Sequence, residues 1–244
     1  MINKILLQSV INKYYLGVNE SVEWSVKNNV LTIDFMTPSK DVIGKVTCNS
    51  FDLENSKLAI YDTKKLLNLI GICFGDLILE PEKTNNTYTR LKISDMNFNL
   101  VYALSDPLLI NKVGTVNVPE WEAEIPLTGE DVDNLVKAKN ALSGVDDMTI
   151  ITTTNLEGDN VCEFVFGDDK GHNNKITYQV KGTVHNPNIK LPFNSELFKT
   201  ILQFNKDMEG GKMYVNNMGL MKLEFEFEKI KSEYFLIRKA ETNF

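Results

Sequence analysis

The chain has 244 residues, enough for one large domain or two of ordinary size. Its composition, 43% hydrophobic and 24% charged, is that of a soluble globular protein, and no run approaches the roughly 18 apolar residues of a membrane helix. A net charge of -7 excludes a chain that is basic all over but not a local basic surface, while Cys48, Cys73 and Cys162, odd in number and far apart, point to reduced thiols in a cytosolic compartment.

The N-terminal run is short and lacks a small-residue cleavage site, which argues against a signal peptide. Residues 2–14 carry Leu7, Val10, Ile11 and Tyr14 at helical spacing, with Lys4, Gln8 and Asn12 on the other side. Glu23–Lys27 and Val30–Phe35 flank Asn28-Asn29 and predict a hairpin. Short strands are expected at 42–48 and 57–61. Asp62-Thr63 then opens a second helix, with Leu66, Leu69, Ile70 and Cys73 on one face and Lys64, Asn68 and Gly71 opposite. Strands near 88–93 and 98–104 lead to the turn signal Ser105-Asp106-Pro107 and an ordered connector reaching Pro126.

Thr128 is a good N-cap, with Asp131 three residues on to answer the free amides of the first turn. Val132, Leu135, Val136 and Leu142 form its apolar stripe and Gly144 suits its end. Strands follow at 148–154, 161–166 and 175–184. Pro192-Phe193-Asn194-Ser195 begins a fourth helix, with Leu197, Ile201, Phe204 and Met208 as its expected buried face and Phe198 and Leu202 alongside. Residues 213–215 and 234–237 are further strands, and 221–227 alternates strictly, Met221, Leu223, Phe225 and Phe227 against Lys222, Glu224 and Glu226. The order helix, strands, helix, strands is thus written twice. It predicts an α+β fold of two similar domains, 1–117 and 118–244, each with antiparallel sheets and two helices.

Enzymatic constellations are missing. Of the two histidines, His172 lies in the polar loop 167–174 and His185 precedes Asn186-Pro187, and neither has a partner at metal-ligand spacing. The loop lacks the spacing of a calcium loop and reads as a solvated hairpin tip. Gly210-Gly211-Lys212 follows a helix instead of a strand and has no Ser or Thr after the lysine, so it reads as a turn and not a phosphate loop. No catalytic residue, metal ligand or cofactor is assigned.

The lysines are the unusual feature. In an acidic protein the wet sides of all four helices hold lysine and amides at their centres: Lys4, Gln8 and Asn12; Lys64 and Asn68; Asn134, Lys137 and Asn140; Lys199, Gln203 and Lys206. Such side chains suit a phosphate backbone, which fixes position without reading bases. The alternative is a solvated face with a few lysines by chance. Lys139 falls at the centre of an apolar stripe, so either it snorkels or the helix phase is off by one residue.

Residues 59–67, 103–107, 130–137 and the tail from Lys222 to Phe244, in that order, resemble the sliding clamp of T-even-type bacteriophages, the DNA polymerase processivity factor. The resemblance implies two similar domains per subunit and three subunits closing head-to-tail into a ring. Helices would line the hole and sheets would form the outer wall, with edge strands pairing across subunits. The ring would hold duplex DNA without reading its sequence. A clamp loader ATPase would open it, and the replicative DNA polymerase would dock through a C-terminal peptide. It implies a further role in late transcription and a location in the cytoplasm of an infected bacterial host. No membrane is involved. On this reading Lys4, Lys64, Lys65, Lys137, Lys139, Lys199 and Lys206 face the DNA. A β-rich phage structural or interaction protein without a DNA role is the alternative, and an enzyme is the least favoured.

Overall fold

Asn3 ends a two-residue strand, β1 (Ile2–Asn3), and caps the first helix, α1 (Lys4–Tyr15): its side-chain oxygen accepts from the amides of Ile5 and Leu6. The computed structural model describes residues 1–114, 116–118, 120–168 and 174–239. The chain divides into two units, Met1–Thr115 with Glu228–Ser232, and Val116–Phe227 with Glu233–Phe244.

In the first unit α1 is followed by β2 (Val22–Lys27), β3 (Val30–Met36), β4 (Val42–Cys48), β5 (Ser56–Ile60), α2 (Thr63–Gly71), β6 (Asp76–Thr84), β7 (Thr87–Ser94) and β8 (Asn99–Ala103). These strands form two antiparallel arrays, ordered β4-β3-β2-β5 and β1-β6-β7-β8. The β2–β3 hairpin turns through Asn28 and Asn29 at φ 53° and 60°, the left-handed pair that a two-residue turn demands and asparagine tolerates. α1 buries Leu7, Val10, Ile11 and Tyr14, as its spacing predicts. The Tyr14 hydroxyl lies 3.3 Å from Trp24 Nε1 on β2 and 3.4 Å from Thr63 Oγ1 at the start of α2, so one phenol links two helices and a strand.

In the second unit β9 (Ala123–Thr128) leads into α3 (Gly129–Ala141), through the expected capping box of Thr128 and Asp131. Then come β10 (Asp147–Thr154), β11 (Asn160–Gly167), β12 (Lys175–Lys181), β13 (Thr183–Val184), β14 (Lys190–Asn194), α4 (Ser195–Phe204), β15 (Gly210–Val215), β16 (Leu220–Phe227) and β17 (Ile230–Ile237), the last of which has its first three residues in the first unit. One array runs β12-β11-β10-β14 and the other β13-β9-β15-β16-β17. Asn205 stops α4 and is wholly buried: its side-chain amide donates to Ile201 O at 2.7 Å and to the Tyr234 hydroxyl at 2.9 Å.

Several expectations are corrected. The 175–184 strand breaks at Gly182 into β12 and β13, where a Cβ would meet Ile125 Cδ1 at 2.5 Å and Glu124 O at 2.7 Å. β6 and β14 went unread, because Pro81 and Pro192 interrupt their patterns. Gly210-Gly211 starts a strand and is not a turn: Gly210 has φ 130° and its missing Cβ leaves room for Leu127 O. Of the face expected for α4, Ile201 and, just past the helix, Met208 are buried, whereas Leu197 and Phe204 are half-buried and Phe198 and Leu202 take their places in the core. α3 ends at Ala141, before Leu142 and Gly144. The hairpin-tip reading with His172 falls on residues 169–173, outside the described residues.

Candidate nucleic-acid interface

α1 and α2 pack together in the first unit, and α3 and α4 in the second. The seven candidate lysines stand in four different environments.

Lys64 and Lys65 open α2. Their backbone amides are taken, Lys64 N–H by Glu20 Oε2 at 3.0 Å and Lys65 N–H by the capping Asp62 Oδ1 at 2.8 Å. Both side chains are exposed and make no ion pair among the described residues, with exposed Asn68 a turn further on. Lys137 on α3 is likewise exposed and unpaired, with exposed Asn140 next to it on the same face. These three are the cations free to meet a phosphate.

Lys4 is committed to its own fold. Its ammonium donates to Gly71 O at 2.7 Å, left open at the C-terminal end of α2, and to Cys73 O at 2.5 Å just past it, and lies 5.6 Å from the Phe74 ring centre. Lys199 and Lys206 are paired with acids: Lys199 with Glu196 one turn earlier, and Lys206 with Asp133 of α3 at 2.6 Å. Asp133 is held below the usual carboxylate range by the Lys206 hydrogen bond first and its charge second, with Lys137 adding to the effect.

Lys139, expected to face DNA, is 2% exposed. Its stem lies in the apolar stripe and its ammonium snorkels to Ser143 O at 3.1 Å and Glu196 Oε2 at 3.3 Å. The helix phase was right, and burial removes this lysine from the surface. Sequence reasoning passed over Lys13, which is 0% exposed on α1 and reaches Ser9 Oγ at 2.9 Å. The clue was available: it lies on the core side between Val10 and Tyr14.

Among the described residues no three His, Cys, Asp or Glu side chains gather as metal ligands, and no helix is long and apolar enough to cross a membrane. The three cysteines are buried free thiols; burial pushes Cys48 up to about 11 and raises Cys73 and Cys162 as well.

No protein-family model matches the sequence, and no curated relative matches it. Solved structures match it over nearly the whole chain. The Proliferating Cellular Nuclear Antigen of Entamoeba histolytica aligns with a TM-score of 0.75 at 16% identity, covering 98% of this chain and 96% of that one. A. fulgidus PCNA, solved with the C-terminal region of FEN-1 bound, aligns at 0.78 and 16% identity over 99% and 98%. The PCNA2–PCNA3 complex of Sulfolobus tokodaii gives 0.76 at 11% identity over 99% and 98%.

The fold is that of a DNA sliding clamp.

The two units match in the side chains that start their second helices. Thr63 and Ser195, the first residues of α2 and α4, are both wholly buried and both tie their hydroxyls to a backbone carbonyl, Glu20 O at 3.0 Å and Val145 O at 2.7 Å. The residue before each, Asp62 or Asn194, is the N-cap. The unpaired Lys64, Lys65 and Lys137 stand on the helices α2 and α3.

Proposed function

We propose that this protein is a sliding clamp of the T-even phage type, a ring that encircles duplex DNA and tethers the replicative DNA polymerase for processive synthesis. The correspondence of both units with clamp chains, over 98–99% of this chain, carries the reading. Three copies close head-to-tail through sheet edges, a heterologous contact whose rotation closes. A clamp loader ATPase opens the ring in the cytoplasm of an infected bacterial host, and the role in late transcription rests on the sequence resemblance alone.

Mechanism follows from topology. A closed ring needs no strong contact with DNA, and only Lys64, Lys65 and Lys137 of the candidate lysines are free of partners among the described residues. Long, hydrated ammonium groups meeting successive phosphates hold the duplex centred without choosing a register, so the ring can slide. Lysine paired to an acid contributes little more, since its field is largely cancelled.

Negative-stain electron microscopy of the concentrated protein is the test. Closed threefold rings with a hole wide enough for duplex DNA are expected. Particles without a hole would overturn the reading and favour a structural protein without a DNA role.

A further inference from the structure

The strand β2 alternates cleanly. Val22, Trp24 and Val26 are buried, with Trp24 bonded to Tyr14 of α1, so Glu23, Ser25 and Lys27 point to the face away from the helices. On that face the first unit holds a cleft of about 590 Å³, within the range of sites that bind a ligand. Its walls come from the end of β2, the edge strand β5 and the β6–β7 hairpin, closed on one side by Pro107.

The chemistry of the lining is one-sided. In a chain of net charge -7 it holds Lys27, Lys57 and Lys83 and, among the described residues, no carboxylate. Lys27 makes no ion pair among the described residues. Lys83 lies over the Tyr88 ring, 4.5 Å from its centre, a contact that leaves its charge uncancelled. Lys57 is 3.2 Å from Glu23 but remains 70% exposed. Tyr88 is fixed by its hydroxyl, which donates to Glu54 Oε1 at 2.9 Å, so its ring stands as a preset apolar wall.

The backbone adds a second recognition element. β5 is the outermost strand of β4-β3-β2-β5 and pairs with β2 on one side only. On its other side Ala59 O accepts from Ser105 N at 2.9 Å. Lys57, two residues away, turns its own N–H and C=O the same way, which is the geometry an added extended segment uses.

We propose that this cleft docks an acidic, extended peptide segment of a partner protein. An edge strand supplies the main-chain pairing, and Lys27 and Lys83 supply the preference for Glu or Asp. A phosphate ligand fits less well, because no glycine lines the cleft and the single 3-10 turn that starts there, at Pro107, already gives its Leu108 amide to Asp106 Oδ1 at 2.9 Å. The proposal is independent of the clamp reading. It concerns the face opposite the helices and does not involve Lys64, Lys65 or Lys137.

The test is fluorescence anisotropy on the full chain with a fluorescein-labelled peptide of alternating Glu and Thr. Binding is expected, weakening as salt rises from about 50 to about 300 mM, and absent when every Glu is replaced by Gln. Lys27→Glu with Lys83→Glu is expected to lower affinity about tenfold or more, with unchanged thermal unfolding, whereas Lys64→Glu with Lys65→Glu leaves it intact. Failure to bind the Glu peptide at low salt would overturn the proposal. So would retained binding in the Lys27/Lys83 variant, or displacement of the peptide by inorganic pyrophosphate or an oligothymidylate at equal anion charge. None of these results bears on whether the protein forms rings.

Discussion

Lys206 Nζ and Asp133 Oδ1 meet at 2.6 Å, joining the turn after α4 to the first half of α3. The pair neutralises a lysine that the helix pattern alone would leave facing DNA, and it leaves Lys137, four residues along α3 from Asp133, as the exposed unpaired cation of that helix. The field on this face is therefore set by which lysines have found an acid.

Asp133→Asn should release Lys206 and strengthen association with duplex DNA at low salt, with a steeper fall as salt rises. The carboxyl of Asp133 titrates below its ordinary value of 3.8 in the folded chain. Its stabilising contribution is thus present above that value and lost as pH falls through the lower folded one. A carbon-detected NMR titration that places Asp133 at or above the ordinary value would contradict the pairing.

Charge reversal of Lys64, Lys65 and Lys137 together should cut processive synthesis by about tenfold or more while size-exclusion chromatography shows the same assembly. Lys199→Glu should do less than Lys137→Glu, because Lys199 is already paired with Glu196. An equal loss from both single variants would show that pairing does not decide which lysines matter.

Lys139→Ala should destabilise the second unit by about 2 kcal/mol in urea, from a lost buried stem and two lost polar contacts. Lys139→Met keeps most of the stem volume and should cost less than about half of that. Similar losses in both would place the stability in the ammonium instead of the stem.

Tyr102, whose hydroxyl accepts from Asp62 N at 3.0 Å and donates to Asp62 O at 3.1 Å, is pushed up from 10.0 to about 12 by burial. Because the folded value is raised, its contribution is complete below pH 10 and declines as pH climbs towards 12. Cys48, raised from 9.0 to about 11, acts in the same direction over a lower window. Denaturant titrations across this range should show stability falling with pH, and Tyr102→Phe should flatten the upper part of the curve.

Gly44→Ala should cost about 1–3 kcal/mol, since an added Cβ would sit 2.2 Å from the ring of Phe35, its cross-strand partner, which is 2% exposed. Adding Phe35→Leu, which withdraws the ring, should recover part of the loss in a double-mutant cycle.

Local chemistry was legible in the sequence. The Asn28-Asn29 turn, the Thr128–Asp131 capping box, the buried face of α1 and the alternation of β16 from Met221 to Phe225 (Phe227 is exposed) all depend on residues within a few positions of one another, where backbone preference and period settle the outcome. The twice-written order of helices and strands, and with it the α+β class, followed from those local signals. The tertiary structure alone decided which cations are free. Lys4 is bound by carbonyls 67 and 69 positions away, Lys206 by an acid on another helix, and Lys139 is buried against Glu196, while Lys64, Lys65 and Lys137 stay unpaired. A side chain's charge is written in the sequence, but the field it projects depends on the partners folding brings within a few ångströms.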